Sequence, residues 1–254
     1  MNAFRAIVFS SVVAGLIVGA VVTVIQQFGT VPLILQAEVF EKAPAGHHHE
    51  AIAASTEAVA HDHTTHEHAD HDHAASAWEP RDGLERNAYT AAANVVTATG
   101  FALVLAGLFA IRTGQARQVS WHEGLLWGLA GFAAFTIAPG LGLPPELPGT
   151  LSAPLLSRQL WWVLAAATTA TGLSLLFLRR TVPAAIAGLI LLILPHLIGA
   201  PQLEHAATNV PSSLSHQFMV IVTLTSLVFW SLLGSLTSIA FSYFDRGHAE
   251  PSAA

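Results

Sequence analysis

Long apolar segments recur along this chain, and they constrain its fold more than any other feature. A helix that crosses a membrane needs about 20 mostly apolar residues, because lipid offers no partners for backbone N–H and C=O groups. Six segments approach this length, and they cover residues 6–28, 88–111, 123–143, 159–178, 182–199 and 216–241. With only 10% charged residues, the chain can cover a surface that faces lipid but not one that faces water. We predict an all-α, polytopic transmembrane helical bundle of about six spans.

Two boundaries in this prediction are open. Segment 182–199 is the shortest of the six, and it would merge with segment 159–178 if Arg179 and Arg180 did not form a turn. Segment 6–28 could instead be a cleaved signal peptide that has Arg5 at its charged start. The apolar core of a signal peptide typically has only 7 to 15 residues, however. The greater length of this segment favours an uncleaved membrane anchor.

The basic residues indicate the orientation of the bundle, because positive charge is retained on the cytoplasmic side of membrane proteins. With the amino terminus in the cytoplasm, the inner segments hold Arg5, Arg112, Arg117, Arg179, Arg180 and Arg246, and the outer segments hold Lys42, Arg81, Arg86 and Arg158. The count favours this orientation, and we predict a multi-pass protein of the inner (cell) membrane. The predicted organisation is a first span (1–28), an extracytoplasmic loop (29–87), a bundle of about five further spans (88–241) and a cytoplasmic tail (242–254).

The long loop is rich in histidine. Nine of the fourteen histidines of the chain lie in it, namely His47, His48, His49, His61, His63, His66, His68, His71 and His73. Asp62, Asp70 and Asp72 are interleaved with them. The flanking residues are mostly alanine, serine and threonine, which supply too little apolar surface to build a core. We therefore predict a disordered histidine-rich loop.

The histidine tract favours binding of a divalent metal ion. Neutral imidazole is the commonest protein ligand for zinc, nickel and cobalt, and carboxylates complete such sites. The short, varied spacing lets one segment wrap an ion in many ways, which suits capture rather than one rigid geometry. Because only unprotonated rings bind, affinity should fall as the pH drops through about 6.5. The alternative is a solvated spacer that never meets metal, and the tract does not specify which metal is bound.

A second group of candidate metal ligands lies near the ends of the spans. On the outer side they are Glu146 in a proline-rich turn, His196 after Pro195, His205, and His216 at the start of the last span; on the inner side they are His122 and Glu123. Ionisable groups within a membrane are costly and often mark a pathway. We predict a transfer route from the histidine tract through the outer residues, across the bundle and past the inner pair. The alternative is that these are ordinary residues of helix ends.

Uncharged polar residues within the spans allow two interpretations. Thr90, Asn94 and Thr97 share one face of the second span, Thr168 and Thr171 lie in the fourth, and Gln26 and Gln27 end the first. Their oxygens could line a pore, or they could form hydrogen bonds between helices. The chain has no cysteine and only two methionines, so disulfides and thiol catalysis are excluded and a copper(I) pathway is disfavoured.

Five motifs of the chain resemble those of the CbtA family of proposed cobalt transporter subunits. They are P-L-I-L-Q-A-E-V-F-E (32–41), G-L-L-W-G-L-A-G-F (124–132), G-L-G-L-P-P-E-L-P-G (140–149), R-Q-L-W-W (158–162) and P-H-L-I-G-A-P (195–201). The resemblance implies cobalt uptake for cobalamin biosynthesis. It also implies a partner, CbtB, which is a small single-span protein with its own histidine-rich end. The family is usually described with one span fewer than the six counted above.

Other functions remain as alternatives. A membrane-anchored metal sensor or metal store would need only the loop, and a transporter could carry nickel or zinc instead of cobalt. A cation-diffusion exporter is disfavoured, because the predicted spans contain no aspartate. There is no phosphate-binding G-x-x-x-x-G-K-[ST] loop, no nucleophile–base pair and no basic surface for nucleic acid. We therefore expect no enzyme and no cofactor, with the metal ion as substrate and the lipid bilayer as surroundings.

Overall fold

The computed structural model describes residues 2–42, 80–81, 83–113, 119–203 and 210–246. Within these ranges the regular structure is entirely helical, which confirms the predicted all-α class. The helices are α1 (Asn2–Phe28), α2 (Thr30–Lys42), α3 (Leu84–Thr113), α4 (Trp121–Phe132), α5 (Ala138–Gly140), α6 (Leu155–Ser174), α7 (Val182–Ile198) and α8 (Ser212–Arg246). A π turn, Ala133–Ile137, joins α4 to α5 without a break, and a second one, Leu175–Arg179, extends α6.

Four helical stretches are long and apolar enough to cross a membrane by length and composition. They are Ala3–Phe28, Leu84–Arg112, Leu155–Arg179 and Ser212–Asp245, and each overlaps one of the predicted spans. Large apolar side chains cover their outer faces, as in Phe4 and Val96, which are 72% and 71% exposed. The chain is therefore a helical membrane protein. The other two predicted spans are also helical but are not among these four. α7 has 17 residues, and the run from α4 through the π turn to α5 covers residues 121–140.

The boundary between α6 and α7 is a real turn. The helix that begins as α6 ends at Arg179, and Arg180 adopts a left-handed backbone conformation with a φ of 47°. Thr181 is extended and precedes α7, whose first turn contains Pro183, and proline is favoured at that position. A left-handed residue cannot continue a right-handed helix, so the two segments remain separate.

The segment predicted as a loop, 29–87, begins with a helix. α2 packs Leu33 and Ala37 against Leu214 and Phe218 of α8 in a small apolar cluster. At 13 residues, α2 is too short to span a membrane, and it follows α1 after Gly29. The start of α8 and the end of α1 are thereby held at the same end of the bundle.

Glycines allow the closest helix contacts. A Cβ atom at Gly15 or Gly19 of α1 would overlap Thr99 or Val95 of α3, and one at Gly128 of α4 would overlap the carbonyl of Trp230 in α8. Backbones that approach this closely gain packing contacts along their length, which drives helix association in lipid. These glycines therefore allow the helices to pack closely.

Contacts between helix ends define two faces of the bundle. Gln27 near the end of α1 donates to Asn87 near the start of α3, and Trp161 near the start of α6 donates to the carbonyl of Pro195 near the end of α7. We call this end the loop face. At the opposite end, Arg112 of α3 pairs with Glu123 of α4 and Ser242 of α8 donates to the carbonyl of Val119. We call this end the turn face.

Candidate functional site

Two adjoining, open cavities lie between the helices on the side of the loop face. The larger, of about 940 Å³, lies between the π turn after α4, the segment that carries Glu146, α6 and α8, and we call it the vestibule. The smaller, of about 300 Å³, lies between α1, α3, the π turn and α8, and we call it the inner cavity. The two cavities share wall residues, which are Phe135, Thr136, Trp162, Val222 and Ser226. An ion in one cavity is therefore next to the other.

Glu146 lies in the vestibule wall within a rigid turn. Pro144 and Pro145 fix the backbone before it, because a proline ring locks φ. Its Oε2 accepts from Nη2 of Arg158 at 2.9 Å and also from the hydroxyl of Ser152. Arg158 Nε is buried and has no hydrogen-bond partner in the described part of the chain. The carboxylate of Glu146 is thus held in position by its neighbours. One of them, Arg158, was not assigned to the site from the sequence.

The inner cavity carries uncharged oxygen atoms. Asn94 of α3 donates from Nδ2 to the Thr23 hydroxyl at 3.0 Å and to Gln26 Oε1 at 2.7 Å, both on α1. Both of its amide N–H groups are thereby used, so Asn94 Oδ1 remains as an acceptor. Thr97, one helical turn along α3, also lines this cavity. Asn94 therefore forms the interhelical hydrogen bonds of one interpretation and also lines a cavity, whereas Thr90 and Thr168 donate to carbonyls of their own helices. The pore-lining interpretation stays a prediction.

The π turn supplies the opposite wall. In it the Ala138 N–H donates to the Ala133 carbonyl, five residues earlier, whereas an α-helix uses a spacing of four. The extra residue directs Thr136 towards α8, where its Oγ1 lies 2.9 Å from Ser226 Oγ. Single π turns within α-helices occur frequently at functional sites.

Aromatic rings form most of the remaining wall between and around the cavities. Phe135 stacks on Trp230 with ring centroids 5.5 Å apart, and Trp162 lies 6.0 Å from Phe135. Phe101 packs against Trp230 at 4.8 Å. Rings of this size fix the shape of the cavities, and their faces are compatible with a nearby cation.

The predicted outer histidines lie apart from the cavity-lining residues. His196 is exposed, and its ring meets Trp161 edge-on at a centroid distance of 6.1 Å. His216 is exposed on the first turns of α8. Nowhere in the described ranges do three or more His, Asp or Glu residues gather into a group that could hold a metal ion. Glu146, His196 and His216 therefore do not form one cluster.

The predicted inner pair at the turn face already has partners. Glu123 accepts from Arg112 Nη2 at 3.0 Å, and the Arg112 guanidinium lies 5.7 Å from the Trp127 ring. The His122 ring stacks on Trp121 with centroids 3.6 Å apart. Ser120 caps α4 by accepting from the Glu123 N–H. These contacts give Glu123 a structural role at the start of α4.

The histidine tract itself lies outside the described residues. The predicted ligands concerned are His47, His48, His49, His61, His63, His66, His68, His71, His73, Asp62, Asp70, Asp72 and His205. The prediction that they bind metal stays a prediction.

Four hydroxyl residues of the inner cavity were not assigned from the sequence. They are Thr30, Thr136, Thr225 and Ser226. The available signal was the presence of hydroxyl side chains in an apolar span, which marks either a pathway or an interhelical bond. Only the contact between α4 and α8 decides between these two roles.

Comparison with known proteins gives one match. The model of a family described as "Probable cobalt transporter subunit (CbtA)" matches residues 4–242. No curated protein and no solved structure matches the chain.

Proposed function

The chain belongs to the CbtA family of probable cobalt transporter subunits, and on this premise we propose that it is the membrane subunit of a cobalt uptake transporter that supplies cobalamin biosynthesis. The observation that carries the proposal is the extent of the family match, which covers nearly the whole chain and all the described helices. The two adjoining cavities support it, because a sensor or a metal store would need no cavities lined by polar side chains in its membrane anchor.

We propose that the chain crosses the inner membrane six times, with the histidine-rich segment outside. In this topology α7 and the run from α4 to α5 cross the membrane in addition to the four long helices. The uncharged outer surfaces of α7, where Leu189, Ile190 and Ile193 are exposed, suit contact with lipid. The basic residues at the turn face, among them Arg112, Arg179 and Arg180, favour the cytoplasm for that face.

The proposed route begins at the histidine tract. Its imidazoles collect the ion outside the membrane, and the vestibule receives the ion at Glu146. The ion then passes the shared wall at Thr136 and Ser226 into the inner cavity. A membrane potential that is negative inside would favour inward movement of a divalent ion by about 4.6 kcal/mol per 100 mV.

We further propose a small, single-span, histidine-rich partner subunit of the CbtB type. The family is described as a transporter subunit, which implies that other subunits complete the transporter. The partner would add capture capacity or complete the route at the turn face, where Glu123 is engaged by Arg112.

Accumulation of radiolabelled cobalt, nickel and zinc tests the proposal. The full chain is expressed with and without the partner in cells that lack their own uptake of these metals. Cobalt should accumulate above the level of cells with an empty vector, and more strongly than nickel or zinc. Equal accumulation of nickel or zinc would identify a different substrate, and accumulation of none of the three would favour a sensor or a store.

A further inference from the structure

We infer that the inner cavity holds the divalent ion together with its shell of water, between uncharged oxygens rather than direct ligands. The inference rests on the proposed transport function and specifies how the ion is held within the membrane. It assigns a cargo site to Asn94, Thr136, Thr225 and Ser226.

The volume of the cavity fits a hydrated ion. A water molecule in the liquid occupies about 30 Å³, so an ion with six waters needs roughly 200 Å³. The inner cavity has about 300 Å³, which is far more than a bare ion would fill. A site of direct ligands would instead close around the metal at bond distances of about 2 Å.

The charge of the lining points the same way. None of the fourteen residues that line the inner cavity is acidic, basic or a histidine. Stripping water from a dication in a medium of low polarity is very costly without charged or imidazole ligands. Uncharged oxygens can hold the shell instead, and such a site binds weakly enough to release the ion.

The wall offers several acceptors to a hydrated cation. Water bound to a cation points its hydrogens outward, so the shell donates and the wall must accept. Asn94 has committed both N–H groups to Thr23 and Gln26, which leaves its carbonyl oxygen as an acceptor. The hydroxyls of Thr136, Ser226 and Thr225 can each accept as well. Gln26 Oε1 already accepts from Asn94, so the Gln26 amide contributes donors to this wall and is not assigned to the site.

One consequence concerns selectivity. Water shells of cobalt, nickel and magnesium ions are alike in charge and similar in size, so a wall that contacts only the shell discriminates little among them. Discrimination between metals must then come from imidazole contacts elsewhere in the protein. The inner cavity would move whatever ion the outer residues deliver.

Water access to the cavity can be measured directly, because the natural chain has no cysteine. The test variant is Thr225→Cys, and the control is Thr168→Cys. Both threonines are buried, at 7% and 9% exposure, but Thr168 lines neither cavity and donates to the Leu164 carbonyl of its own helix. Each full-length variant is treated in membranes, together with the partner, with a positively charged methanethiosulfonate reagent. Thr225→Cys should react faster than Thr168→Cys by an order of magnitude.

Protection by magnesium tests the ion itself. Magnesium keeps its waters and has little affinity for thiolates, so it reports on a hydrated site without binding the new cysteine. Magnesium chloride should slow labelling of Thr225→Cys several-fold compared with sodium chloride of equal ionic strength. No labelling of Thr225→Cys, or labelling that magnesium does not slow, would overturn the inference.

Cobalt accumulation by two further variants separates this inference from the proposed function. Thr225→Val keeps the side-chain shape and removes an oxygen, and Asn94→Leu removes the carbonyl acceptor. Both should lower the maximal rate, by several-fold for the first and by more for the second. If wild type moves cobalt and Thr225→Val moves it equally well, the cavity assignment fails while the transport function stands. If wild type moves no cobalt, the proposed function fails, and the labelling result still decides whether the cavity takes a hydrated ion.

Discussion

Arg158 donates from Nη2 to Oε2 of Glu146 at 2.9 Å, and this pair engages the only acidic residue among those that line the two cavities. The two side chains are about one third exposed, at 30% and 32%. Pairs this open to solvent contribute at most about 1 kcal/mol. An arriving divalent ion can therefore displace the guanidinium from the carboxylate at little cost.

We expect Glu146→Gln to raise the cobalt concentration needed for half-maximal uptake, on the order of tenfold, which corresponds to about 1.4 kcal/mol of lost attraction. The change removes the negative charge of the vestibule and leaves the positive charge of Arg158 unbalanced at its mouth. Initial rates of radiolabelled cobalt uptake over a range of concentrations measure the effect.

The double variant Glu146→Gln with Arg158→Gln serves as the control for a structural role. If Glu146 only holds Arg158 in place, removing both charges should restore uptake to the wild-type level. If Glu146 receives the ion, the double variant should stay impaired. Full recovery would contradict the role proposed for Glu146.

Removal of residues 46–75 should weaken capture and spare the transport step. At scarce cobalt the accumulation rate should fall on the order of tenfold, as expected when a binding contribution of about 1.4 kcal/mol is lost. At saturating cobalt the rate should approach that of the wild type, because the cavities lie in the helical bundle. A chain whose nine histidines are replaced by serine, with its length unchanged, shows whether the histidines or the length matter.

Uptake at scarce cobalt should decrease as the external pH falls through about 6.5. Protons compete with metal for neutral imidazole, so the capture contribution is present above this pH and is lost below it. The chain without residues 46–75 should show a much flatter pH profile. Parallel profiles for the two chains would argue that the histidine tract takes no part in capture.

We expect Gly128→Ala to lower the thermal stability of the purified protein. A Cβ atom at this position would overlap the Trp230 carbonyl, and overpacking of this kind costs about 1–3 kcal/mol. Gly107→Ala is the matched control, since a Cβ atom there meets nothing within 4 Å. Its stability should be equal or higher, because alanine favours helix over glycine. Melting temperatures in detergent compare the two, and equal losses would show that the α4–α8 contact tolerates a side chain.

The apolar segments were sufficient to predict the longer helices. Length decides whether a helix can span a bilayer, and the spacing of Gly15 and Gly19 directly allows close approach to Val95 and Thr99. α2 was assigned to a loop, because 13 residues are too few for a span and the sequence carries no sign of the α8 surface on which it packs.

The inner cavity was only half predictable. Asn94 and Thr97 stand out because they are polar and one turn apart on α3. Thr136 and Ser226 do not, because α8 carries serine and threonine at many positions and regular periodicity gives no reason to pair this serine with Thr136. Their contact depends on the π turn, which displaces Thr136 from the position that uniform α-helical geometry would give it.

The π turn, Ala133–Ile137, holds one residue more than a regular α-helix would place between α4 and α5. A π turn differs from an α turn by one additional residue in the ring that its hydrogen bond closes. A one-codon deletion within it would allow a regular helix, and because only the additional residue is lost, the residues after the turn would keep nearly the same orientation relative to α4. Glu146 would then still face Arg158, whereas Thr136 would lose its position opposite Ser226. An in-frame loss of one residue here should therefore disturb the wall of the inner cavity more than the vestibule.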